Sequence, residues 1–129
     1  MAKKFLAKII AKDIQGLKLI SACCFESKLN IKDIKYLKLN KIFLISIERF
    51  KKETDENDQK INSICKFEFV DNVKSKNIDQ NSLDLQLELI AIDIFKKDKK
   101  FEINLLFSNK AYITLSTEII EVTLEDRTN

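Results

Sequence analysis

Few residues in this chain have the types and spacing to do chemistry. There is no histidine, which removes the commonest general base near neutral pH, the commonest zinc ligand and every Ser-His or Cys-His nucleophile pair. A single glycine leaves no phosphate-cradling loop and no dinucleotide fingerprint. Cys23 and Cys24 are adjacent and Cys65 is far along the chain. That is not the CxxC spacing of a zinc or redox site, and the three read as small buried hydrophobes. The sequence therefore implies no metal and no cofactor.

Arg49, Asp93 and Glu88 are the remaining candidates. Arg49 is one of two arginines in a chain that otherwise uses lysine, and lysine cannot replace a planar, bidentate fork. It reads first as one end of a structural salt bridge to Asp93 or Glu88, and second as a ligand contact. Asp93 interrupts Ile-Ala-Ile-Asp-Ile. Buried there, it would need a partner or a raised pKa; the simpler reading puts it on a solvated strand face. Two lysine clusters, Lys3, Lys4, Lys8, Lys12 and Lys96, Lys97, Lys99, Lys100, could contact phosphates if folding gathers them, the simpler reading being solvated turns. Lys66-Phe-Glu-Phe-Val70 has a faint likeness to the aromatic strand of an RNA-recognition motif but lacks its glycine. Phe67 and Phe69 are expected to pack in the core.

These residues need elements to hold them. Leu83 to Phe95 is an uninterrupted run in which Leu83, Leu85, Leu87 and Leu89 alternate with Asp84, Gln86 and Glu88, the period of a half-buried antiparallel strand. After Leu89 the apolar phase moves to Ile90, Ile92 and Ile94. That predicts either a bulge, which would bend the sheet toward closure, or a half covered on both faces. Phe5 to Ala11 reads as a strand. Asp13 caps a helix carrying Ile14, Leu17, Ile20 and Cys24 on one stripe. Leu29 to Leu39 slips phase near Asp33 and forms a hairpin with Ile42 to Phe50 across Asn40–Lys41. Ile61 to Val70, Phe101 to Phe107 and Ala111 to Leu124 complete about seven strands. Residues 51–60 (KKETDENDQK) read as a mobile polar loop.

Length and composition agree with this picture. The chain has 129 residues, 45% hydrophobic and 33% charged, enough for one domain with its own core. With one glycine and no proline, asparagine and aspartate must carry the turns. The net charge of +3 is low for a nucleic-acid binder. No apolar run approaches the roughly 20 residues of a membrane span. Lys8 and Lys12 interrupt what would otherwise start like a signal peptide. An odd cysteine count suits a reducing cytoplasm.

Several stretches together carry a resemblance. Ile20-Ser-Ala22, Phe43 to Phe50 ending in Glu48-Arg49-Phe50, and Phe67 with Val73 to Asp79 are three of them. Leu87-Glu-Leu-Ile-Ala-Ile92 and Ile120 to Asp126 are the others. In these the chain resembles, over nearly its full length, a bacterial family known as domain of unknown function 2948. Glu48 stands where the family pattern has asparagine, and Ser108-Asn-Lys110 where it has a glycine-rich turn. Of the acidic or amide pair near Glu26, this chain keeps Glu26. The resemblance implies one compact domain with an early helix and no particular activity.

The expected fold is α+β: a curled antiparallel sheet or partly open barrel of about seven strands with one helix in the N-terminal half. The expected function is a non-enzymatic cytoplasmic binding or assembly module, pairing with a protein partner or a second copy through strand edges. The alternatives are a nucleic-acid-associated protein using the lysine clusters, and a histidine-free enzyme using Arg49 and carboxylates.

Overall fold

A computed structural model describes residues 6–50 and 60–127. Ten strands and one helix follow in the order β1 (Lys8–Ala11), α1 (Ile14–Cys24), β2 (Ser27–Asn30), β3 (Ile34–Leu37), β4 (Ile42–Phe50), β5 (Lys60–Phe67), β6 (Val70–Lys76), β7 (Gln86–Lys97), β8 (Lys100–Phe107), β9 (Tyr112–Thr117) and β10 (Val122–Asp126). All strands join one antiparallel sheet in the order β1-β10-β5-β4-β2-β7-β8-β9-β6, with β3 also paired to β4. The curled antiparallel sheet with an early helix is as expected. The three additional strands arise because two expected strands break and a further run, without clean alternation, pairs as well. Leu29–Leu39 is split by a helical turn at Ile31–Asp33, and Ala111–Leu124 by a crossover, while Val70–Lys76 pairs despite its weak pattern. Of the expected polar loop, residues 51–59 lie outside the described residues, and Lys60 opens β5.

The curl follows from chain connectivity. In a flat sheet β5 and β6 would stand six strand spacings apart, about 29 Å. Glu68 and Phe69 alone join them, a link that spans roughly 10 Å. The sheet must therefore wrap until its flanks meet. Contact is made at one end, where the Val70 N–H donates to the Lys41 carbonyl at 2.8 Å and the Tyr36 hydroxyl to the Val70 carbonyl at 2.8 Å. Beyond that point β3 is paired only with β4, and β6 only with β9, so the wrap stays open along a seam. The inward faces, including Phe43, Ile45, Phe67, Leu89, Ile103, Leu105, Leu115 and Leu124, fill the core.

Of the two readings of the phase switch after Leu89, the bulge is the one present: Leu89 pairs with Phe107 and Ala91 with Leu106, leaving Ile90 extra. It moves the buried phase from Leu87 and Leu89 to Ile92. Past Leu89, β7 no longer has β2 beside it, and α1 covers it instead. The Ile92 N–H donates to Ser21 Oγ at 2.9 Å, so the helix satisfies a backbone donor that the sheet leaves unpaired. Asp13 caps α1 by accepting from the Gly16 N–H at 2.7 Å. Gly16 stays small for a reason, since a Cβ there would lie 3.0 Å from that of Ala11.

Two core expectations change. Phe69 is exposed with a φ of 60°: β5 ends at Phe67, the chain turns, and Val70 takes the buried place. Leu83 and Leu85 are exposed, because the chain there runs past β2 and its carbonyls accept from Lys32 and Ile31. Left-handed turns also use more than asparagine and aspartate. Asn77, Asp98 and Asn109 adopt positive φ, and so do Glu26, Lys41, Phe69 and Lys110.

Candidate functional site

Arg49 follows Phe43, Ile45 and Ile47 on the inward face of β4, and Asp126 follows Val122 and Leu124 on that of β10. The partner of Arg49 is therefore Asp126 and not Asp93 or Glu88. Arg49 Nη2 donates to Asp126 Oδ1 at 2.8 Å, with both side chains fully buried. Ser63 stands between them, accepting from Arg49 Nε at 3.0 Å and donating to Asp126 Oδ1 at 2.7 Å. The other carboxylate oxygen accepts from the Ala7 N–H at 2.8 Å. Burial pushes the Asp126 carboxyl up, but the bonds from Ala7, Ser63 and Arg49 outweigh it and hold it below its ordinary range. The guanidinium and its carboxylate tie β1, β4, β5 and β10 together and have no surface to offer a substrate. The sequence signal for Asp126 was the period of two through Ile120, Val122 and Leu124, continued one step further.

Asp93 lies exposed on the outer face of β7, opposite Asn104. Glu88 is half-buried opposite Lys28, whose other neighbour is Glu48. Neither approaches Arg49. Cys24 and Cys65 are brought together: a side-chain hydrogen bond to Cys24, with burial, pushes the Cys65 thiol well above its ordinary pKa. The three cysteines are buried and unpaired by disulfides. Among the described residues no group of three or more Cys, Asp and Glu side chains is placed to hold a metal ion.

The lysines divide. Lys97, Lys99 and Lys100 line a trough of about 550 Å³ together with Lys74 of β6. Lys96 faces the opposite way from Lys97, as adjacent strand residues must. In the N-terminal cluster, Lys8 pairs with Glu125 at 3.7 Å, Lys12 is exposed, and Lys3 and Lys4 lie outside the described residues.

The arrangement best shaped to receive something is the seam. A cleft of about 480 Å³ lies between β3 and β6, lined by Ile34, Lys35 and Tyr36 on one side and Val73 and Ser75 on the other. Phe43 and Ile113 form part of its floor. Each bounding strand has one unpaired edge, a row of backbone donors and acceptors that another strand could complete. The charged residues lining it are Lys32, which pairs with Asp84 at 3.3 Å, and Lys35. At its closed end stand three exposed hydrophobics, Leu37, Phe69 and the 99%-exposed Leu39.

No helix of the described residues is long and apolar enough to cross a membrane. No curated protein and no solved structure matches the chain. A family model does, over residues 7–129, and it is the one that the sequence resembles: the chain belongs to the DUF2948 family, proteins of unknown function.

Proposed function

We propose that this protein is a non-enzymatic binding module that takes an extended segment of a partner protein into the seam between β3 and β6, adding a strand to the sheet. The observation that carries this reading is one cleft bounded by two unpaired strand edges and floored by core side chains. Main-chain pairing would supply affinity and alternate side chains the selectivity. The period of two fixes the chemistry of the occupant. Its inward residues would meet Ile34, Tyr36, Val73 and Phe43, so they must be apolar. Its outward residues would sit beside Lys35 on β3 and Lys74 and Lys76 on β6, so acidic side chains fit. The partner segment thus alternates apolar residues with Asp or Glu. Buried thiols without disulfides support a reducing, cytoplasmic setting.

The test uses two labelled peptides, one alternating valine with glutamate and the other valine with lysine. The wild type should bind the first more tightly, by anisotropy, and the variant Lys35→Glu/Lys76→Glu should reverse the preference. Binding of neither peptide, or equal binding of both by each protein, would overturn the reading. Association of the protein only with itself would replace the partner segment by a second copy.

A further inference from the structure

A second feature shares β6 and Lys74 with the seam but extends away from it: the outer face of the four strands β6, β9, β8 and β7. Antiparallel register lays its side chains in rows. One row runs Asn72, Ser116, Glu102, Phe95, and the next Lys74, Thr114, Asn104, Asp93. The turn between β7 and β8 brings Lys97, Lys99 and Lys100 to one end of these rows, and with Asn72, Lys74, Thr114 and Ser116 they enclose the 550 Å³ trough. Lys100 is partly neutralised by Asp71 at 3.3 Å. Lys74, Lys97 and Lys99 have no carboxylate within salt-bridge distance among the described residues. Asp98 and Glu102 also line the trough, so it holds four ammonium groups against two carboxylates. Phe95, in the same outer row as Glu102, is 55% exposed. The ring stands on the same side of β7 as Lys97, two residues on.

We infer that this face binds single-stranded nucleic acid, with the lysines on phosphodiester oxygens and Phe95 under a base. The two requirements of such a platform are a positively charged groove for the backbone and an exposed aromatic on which any base can stack. Both occur here on one surface. Ser116 and Asn72 supply further hydrogen bonds to phosphate or sugar, while the Thr114 hydroxyl is held by Asn104 Oδ1, to which it donates at 2.7 Å. A trough lined by lysine, hydroxyl and amide side chains suits a flexible strand.

The experiment is a fluorescence anisotropy titration of a labelled oligouridylate, and of a duplex of the same length, over a series of salt concentrations. Wild-type protein should bind the single strand more tightly than the duplex and lose affinity as salt rises. The exposed double variant Lys97→Gln/Lys99→Gln should flatten the log–log salt slope by about 1.4, at roughly 0.7 per phosphate contact on a single strand. Phe95→Ala should weaken binding by about 5- to 150-fold, the range of one base–aromatic stack, with little change in slope. No binding at low salt, a preference for the duplex, or an unchanged slope in the lysine variant would overturn the inference. Because Lys97, Lys99 and Phe95 do not line the seam, these outcomes leave the peptide reading untouched.

Discussion

At the scale of single residues, Arg49 shows how burial converts a candidate ligand contact into a strut. Removing one partner of a buried ion pair strands the other, so Arg49→Met should cost about 3–5 kcal/mol, read from the urea midpoint. Arg49→Lys should recover little of it, since an ammonium cannot serve Asp126 and Ser63 with one planar fork. If Arg49→Met instead left stability unchanged, the network would not be the lock described. Asp126 also predicts an acid limb. Its folded pKa lies below its unfolded value, so its contribution is complete above the ordinary aspartate range. That contribution is lost as pH falls through the folded pKa. Asp126→Asn should be less stable at neutral pH and should flatten the stability curve below about pH 4. Thr117 is the opposite case. Its buried hydroxyl has no hydrogen-bond partner among the described residues, so Thr117→Val should be neutral or stabilising by about 1 kcal/mol.

At the scale of elements, the bulge of β7 and the helix beside it form one device. Ser21→Ala would leave the Ile92 N–H without its acceptor and should cost about 1–3 kcal/mol, the desolvation penalty of an unpaired buried group. Chemical denaturation checks it, and a loss below a few tenths would mean that water replaces the hydroxyl. Much of this level was legible in the sequence. The phase switch after Leu89 offered the bulge as one of two readings and Asp13 marked the helix start, while the slip at Asp33 marks where the expected single strand breaks into β2 and β3. β6 was not legible, because Val70–Lys76 carries its own register shift between Val70 and Asn72 and its buried residues lack a clean alternation. With β6 unseen, the seam was also unseen, since it exists only where β3 and β6 approach. Asp126 could have been read from its phase but not as the partner of Arg49: register between strands 77 residues apart is set by the whole sheet. Phe69 misled because its parity matches Phe67 while the chain turns between them.

At the scale of the whole molecule, the governing fact is a sheet that wraps almost to closure and stops. Full closure would remove every edge; here β3 and β6 each keep one, held apart beyond the contact at Val70. Amides on unpaired edges open most readily, while strands paired on both sides, such as β4 and β8, exchange near the global limit. Hydrogen exchange on the free protein should therefore show half of the β3 and β6 amides weakly protected, in alternation along each strand. Binding of a valine–glutamate peptide should protect those same amides and leave β1, the other edge, unchanged. It should also raise the melting temperature with peptide concentration, because a ligand held by the folded state alone stabilises it by about 2.7 kcal/mol at a hundred times its dissociation constant. Protection that appeared on β1 instead would move the binding edge to the far side of the sheet. Alternating protection on both β3 and β6 is the signature only of a strand placed between them.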